Sequence, residues 1–127
     1  MKYTKMKEYN FIEPSEAKNY CFFEKNLESD PLILFHITPA INFEPICREG
    51  FKFKKKLQSV SYAYNSSSCL AHRGQNITED YVAFVVRFET LKIKEIRINP
   101  SDIHVDSEEI QPEILGYCFV PKEYKFR

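Results

Sequence analysis

The run Tyr81-Val-Ala-Phe-Val-Val-Arg-Phe constrains the fold most, because its middle is apolar on both faces. Such a strand needs packing on both sides, so it belongs in the interior of a sheet. A second apolar run, Leu32 to Phe35, reads as another buried strand and delivers His36-Ile-Thr-Pro at its end. Thr38-Pro39 has the form of a helix cap followed by Pro at the first helical position. Pro45 forbids one continuous helix from there, so the helix proper is predicted to begin near Asn42 or Phe43. Gly50 is suited to end it. The final strand is Glu113-Ile-Leu-Gly-Tyr-Cys-Phe-Val, stopped by Pro121.

The remaining segments are weaker signals. Residues 1–14 carry no clear period. Ser15, after Pro14, can cap a helix running from Glu16 to Leu27, with Ala17, Tyr20 and Cys21 on one face, until Ser29-Asp30-Pro31 breaks it. Phe51-Lys-Phe-Lys alternates like a short edge segment with lysines outward. Ser59 to Tyr64 alternates as well; Asn65-Ser-Ser-Ser then offers caps for a helix that Gly74 closes. Ile93 to Ile98 reads as a strand and Asn99-Pro-Ser-Asp as a turn. This order predicts an α+β domain with a mostly antiparallel sheet. With 127 residues the chain is expected to form one domain over 1–127, with an N-terminal helical segment over 1–30.

Composition narrows the function classes. Lys plus Arg and Asp plus Glu both number 18, so no net field recruits nucleic acid or a membrane surface. Cys21, Cys47, Cys69 and Cys118 are scattered, without the CxxC or His spacing of a zinc site, and no metal is expected. Cys47, Cys69 and Cys118 have apolar neighbours and read as small core residues. No apolar run approaches the roughly 20 residues that span a bilayer. The first residues lack the apolar stretch of a secretory signal. A soluble cytoplasmic protein is the expectation, and an effector exported without a cleaved signal would read the same.

Several residues could carry chemistry, each with a plain structural alternative. His36 can offer one ring nitrogen to a ribose hydroxyl or a carbonyl, or can be a strand-end His satisfied by main chain. Tyr62 and Tyr64, on one face of a strand, are stacking platforms for a flat ring or core residues. Ser66, Ser67 and Ser68 open a helix, where amides and hydroxyls receive anions or merely cap. Glu113 begins an otherwise apolar strand, where it is a solvated start residue or a carboxylate able to stabilise an oxocarbenium-like centre. Glu108 and Glu109 read as solvated. Lys52, Lys54, Lys55 and Lys56, with Arg48 and Arg73, are a solvated edge or a hold for pyrophosphate. Cys69 with His72 or His104 is a remote nucleophile–base alternative without an orienting group.

His36-Ile-Thr-Pro-Ala-Ile-Asn-Phe-Glu-Pro-Ile-Cys-Arg-Glu-Gly-Phe resembles the opening His-x-Thr motif of ADP-ribosyltransferase-fold proteins, most of all the bacterial DNA-targeting toxins. There a His-Ile-Thr triplet precedes an Asn-apolar pair, a short helix and Gly-Leu. Ser61-Tyr-Ala-Tyr-Asn-Ser-Ser-Ser is similar to the middle Tyr motif of the His-Tyr-Glu class, and Pro112-Glu-Ile-Leu-Gly-Tyr-Cys-Phe-Val-Pro to its catalytic-Glu strand. Ile37 stands where many members have Gly.

The resemblance implies split antiparallel sheets around an NAD cleft. It implies His36, with Thr38, on the adenosine ribose, Tyr62 stacked on nicotinamide with Tyr64 as its rival, Ser66 and Ser67 beside it, and Glu113 on the nicotinamide ribose. The function implied is mono-ADP-ribosyl transfer from NAD to a nucleic acid or protein, toxin- or effector-like, with an antitoxin or immunity protein as a partner. Two alternatives share the fold. One is a catalytically weak module binding NAD, ADP-ribose or a protein, and the other is RNA 2′-phosphotransfer, which would draw on arginines such as Arg48, Arg73 and Arg87 to hold phosphate.

Overall fold

The computed structural model describes residues 6–52, 59–73 and 77–124. The doubly apolar run forms β4 (Tyr81–Arg87), whose Val82, Ala83, Phe84, Val85 and Val86 are completely buried. On one side it pairs antiparallel with β2 (Ile33–Pro39), from Ile33 opposite Arg87 to Pro39 opposite Tyr81. On the other it pairs antiparallel with β7 (Glu113–Val120), with an irregularity in register between Val85 and Val86. β1 (Lys7–Tyr9) runs parallel to the outer side of β7.

The other strands form a smaller unit. β3 (Val60–Ala63) pairs antiparallel with β6 (Asp102–Val105), and β6 with β5 (Ile96–Ile98). Among the described residues the sheet therefore has seven strands in the order β1-β7-β4-β2-β3-β6-β5. Its two parts meet at a single residue pair between β2 and β3, Phe35 opposite Ala63. The architecture is α+β with a mixed, mostly antiparallel sheet, as the strand order predicts.

Strand alternation gives the sheet two buried faces. On one, α1 (Lys25–Glu28) and α3 (Ser66–Arg73) contribute Leu27, Cys69 and Leu70, and Phe22 and Phe23 join them over Phe35, Ala83, Val85 and Val120. On the other, α2 (Phe43–Glu49) contributes Cys47, packed with Leu34, Phe51, Tyr62, Val82, Phe84, Ile103 and Val105. Cys47, Cys69 and Cys118 are core residues; burial pushes the Cys69 and Cys118 thiols up, Cys118 to about 12. Asn65 caps α3, its Oδ1 accepting from the Ser68 amide at 2.8 Å.

Three expectations fail. The helix from Glu16 to Leu27 does not form: a 3-10 turn spans Glu16–Lys18, and Asn19 and Tyr20 then take left-handed φ of 53° and 61°. Ser15 makes no side-chain cap, and Ala17 and Tyr20 are exposed; the apolar content of this segment is used by Phe22 and Phe23 instead. Thr38-Pro39 does not open a helix, since both belong to β2, which is followed by a 3-10 turn over Ala40–Asn42. Sequence reading also missed β1 and β6, and predicted a strand from Ile93 where pairing starts at Ile96. Gly74 and Lys54 to Lys56 lie outside the described residues.

Gly116 explains how β1 docks. A Cβ there would stand 2.5 Å from the Lys7 carbonyl oxygen and 2.7 Å from the Tyr9 ring, and a backbone atom cannot swing aside. Gly116→Ala is expected to release β1: in hydrogen exchange, the amides of Lys7 to Tyr9 should lose protection while those of β4 keep theirs. Unchanged protection at β1 would show that the strand docks without this clearance.

Candidate active site

His36 occupies the opening between the two parts of the sheet. Beyond Phe35 and Ala63 the β2–β3 ladder ends, and the imidazole bridges the gap, its Nδ1 donating to the Ser61 carbonyl at 2.7 Å. A carbonyl only accepts, so Nδ1 carries the proton and Nε2 is the basic nitrogen of the neutral ring. The ring is half-buried, with its centroid 5.1 Å from Phe51 and 5.6 Å from Tyr62.

Tyr62 lies next to His36 as a core residue. Its side chain is 1% exposed, wedged between Phe51 and Phe88, and burial drives its hydroxyl far above the ordinary range. Tyr64 is half-buried and donates its hydroxyl to the Asn99 carbonyl at 2.6 Å. Its pKa is raised by burial and by the Asp102 charge. Thr38 is buried at the end of β2, and its Oγ1 accepts from Asn42 Nδ2 at 2.8 Å. Its hydroxyl thus holds the turn into α2 rather than capping a helix.

Ser66 and Ser67 lie behind the sheet, because α3 packs on the face opposite His36. Ser66 is fully buried: its hydroxyl donates to the Glu28 carboxylate and accepts from the Phe22 amide at 2.8 Å. The same carboxylate accepts from the Ser66 amide at 3.0 Å, so an internal anion already occupies the start of α3. Cys69 is fully buried, and His104 Nδ1 pairs with Ser59 Oγ while its Nε2 lies 3.1 Å from Asp102.

Glu113 is exposed at the first position of β7, opposite Arg87. Both line an open groove of about 520 Å³ that also takes in Phe88, Thr90, Gln111 and Pro112. His36 lies two strands away and three residues further along, which places the two Cα atoms roughly 14 Å apart. The register row Ile33–Arg87–Glu113 also alternates with the rows on the α2 face, so the imidazole and carboxylate leave the sheet on opposite sides. The structure brings His36, Tyr62 and Phe51 together, and joins them to the Glu113 groove through Phe88, Gln111, Ile93 and Ile110.

Gln111 is the residue that sequence reasoning missed. Its side-chain amide pairs with both backbone groups of Phe51: Oε1 accepts from the Phe51 amide at 2.8 Å, and Nε2 donates to the Phe51 carbonyl at 2.8 Å. Nε2 also donates to the Glu108 carbonyl at 2.9 Å. This clamp ties the end of α2 to the approach of β7 across 60 residues, and nothing local in the sequence announces it. It explains Gly50 twice over, since φ is +86° there and a Cβ would stand 2.6 Å from Gln111 Oε1.

Gln111→Ala should cost about 2–3 kcal/mol, at roughly 1 kcal/mol for each lost bond, read from urea unfolding. Gln111→Glu should be no better, because a carboxylate cannot donate to the two carbonyls. A Glu variant as stable as wild type would remove the clamp from the argument.

Among the described residues no group of three or more His, Cys, Asp or Glu is placed to hold a metal, and no helix is long and apolar enough to cross a membrane. Compared with known proteins, the chain matches no family model, no curated protein and no solved structure.

Proposed function

We propose that this chain is an ADP-ribosyltransferase-fold domain that acts on NAD as a mono-ADP-ribosyltransferase toward a nucleic acid or protein. One observation carries the reading: His36 of the His-Ile-Thr motif sits where β2 and β3 part, its ring held by the Ser61 carbonyl beside Tyr62. A sheet joined at one residue pair is what a split-sheet cleft requires. Further support comes from Glu113, the first residue of the last strand, on the rim of a groove within the size range of small-molecule sites.

NAD supplies the ADP-ribosyl group and a leaving nicotinamide. In this reading His36, its ring oriented by the Nδ1 bond to Ser61, faces a ribose hydroxyl. Arg87 and Thr90 offer donors in the groove, and Glu113 would accept from a ribose hydroxyl and stabilise positive charge at C1′. Tyr64, half-buried, is better placed than Tyr62 to present a ring to a ligand.

A second reading, a module that binds NAD or ADP-ribose with little turnover, is favoured by the burial of Tyr62 and by the roughly 14 Å between His36 and Glu113 on opposite sides of the sheet. An acceptor, an antitoxin or an immunity protein would then be bound rather than modified or neutralised.

Calorimetry with NAD and release of nicotinamide, on wild type and on Glu113→Gln, test these readings together. Transferase function predicts that the variant keeps NAD binding while turnover falls on the order of 10²–10³-fold. Binding without turnover in the wild type selects the module. No binding to the wild type overturns both.

A further inference from the structure

On the face of the sheet away from Tyr62 and Ile103, β3 and β6 carry a cluster of polar side chains that the NAD reading does not use. Ile103 and Val105 are buried on the α2 face, so alternation turns Asp102 and His104 the other way, and Ser61 stands opposite His104. His104 Nε2 lies 3.1 Å from Asp102 Oδ2, and His104 Nδ1 lies 3.2 Å from Ser59 Oγ. Asp102 is itself fixed, accepting from Ser61 Oγ at 3.3 Å and from Asn99 Nδ2 at 3.2 Å.

We propose that Ser59, His104 and Asp102 form a nucleophilic site, in which Ser59 accepts an acyl group from small activated carboxylic esters. Nε2 stands at ion-pair distance from a carboxylate, which can only accept, so the imidazole proton is assigned to Nε2. Nδ1 is then the basic nitrogen, and the Ser59 hydroxyl donates to it. This is the connectivity of a nucleophile, a base and an orienting acid. Burial opposes the charged Asp102 carboxylate, but hydrogen bonds from Asn99 and Ser61 and the neighbouring His104 hold it below the usual carboxylate range. It therefore stays ionised at neutral pH and favours the protonated imidazole that the reaction creates. The Asp102 side chain is 18% exposed and that of His104 28%, so the acid is sheltered while the base can be reached from solvent.

In the first step Ser59 Oγ bonds the acyl carbon while its proton passes to His104 Nδ1. The bond from that carbon to the alkoxy oxygen breaks, and the leaving alcohol takes the proton from the imidazolium. Water, giving a proton to the same nitrogen, then attacks the acyl-Ser59 ester and releases the carboxylic acid, with Ser59 recovering its proton. No further reactant is needed. The proposal is independent of NAD binding, since it uses other residues.

The test is treatment of the whole chain with an alkyl fluorophosphonate, followed by peptide mass mapping, with p-nitrophenyl acetate hydrolysis alongside. The expected result is one adduct, on Ser59, absent from Ser59→Ala. Adduct formation should slow by roughly 10²-fold or more in His104→Gln and less in Asp102→Asn, which keeps the side-chain shape. Wild-type protein that forms no adduct at Ser59 overturns the proposal without recourse to any variant. An adduct that forms equally fast in His104→Gln overturns it too, because Ser59 would then be reactive without its base.

Discussion

The arrangement depends on where the β2–β3 ladder stops. β2 is paired with β4 along its whole length, yet it meets β3 only at Phe35 and Ala63. Past that point the Ser61 carbonyl, half-buried, has no strand partner on β2, and a sheltered acceptor left unmade costs stability. The His36 imidazole satisfies it. One side chain thereby supplies a bond that the backbone does not, keeps the two parts of the sheet in register, and sets its own tautomer. Phe51 and Tyr62 pack edge-on and tilted against that ring, so the aromatic layer on this face is organised around the opening.

The same device recurs at three other places: a polar side chain reaches across the chain to finish backbone hydrogen bonding. The Glu28 carboxylate accepts from the Ser66 amide and hydroxyl and from the Phe23 amide, closing the start of α3 and the N-terminal segment at once. Gln111 acts as a short artificial strand for Phe51. Arg73, buried at the end of α3, donates to the Pro121 and Tyr124 carbonyls beyond β7. These bonds leave few elements independent. β7 is tied at its start to α2 and past its end to α3, which makes it the strand on which both faces converge.

Ser61 shows how closely the two faces are coupled. Its carbonyl holds His36, while its hydroxyl donates to Asp102, part of the Ser59–His104–Asp102 chain. One residue of β3 therefore touches the opening on one side of the sheet and a polar network on the other. Such coupling follows from strand geometry, in which backbone groups lie in the sheet and successive side chains stand on opposite sides.

Periodicity and punctuation were sufficient for the parts that are decided locally. The doubly apolar Tyr81–Arg87 had to be an interior strand; Pro45 delayed α2 to Phe43; Gly50, with φ of +86°, ended it; Glu113 to Pro121 bounded β7. The N-terminal segment was misread because its apolar residues fit a helix as well as the loop they form, and only the packing of Phe22 and Phe23 against Phe35 chooses between them. For the candidate site, the sequence alone placed His36 beside an apolar strand, which in the structure runs on through it, Tyr62 within an alternating one, and Glu113 at the start of the last. Only tertiary structure decided that Tyr62 is core, that Ser66 serves Glu28 behind the sheet, and that His36 and Glu113 face opposite sides. The physical reason is that burial, strand register and hydrogen bonds between residues 25 to 60 positions apart have no period along the chain, and they come into being only when the strands pair.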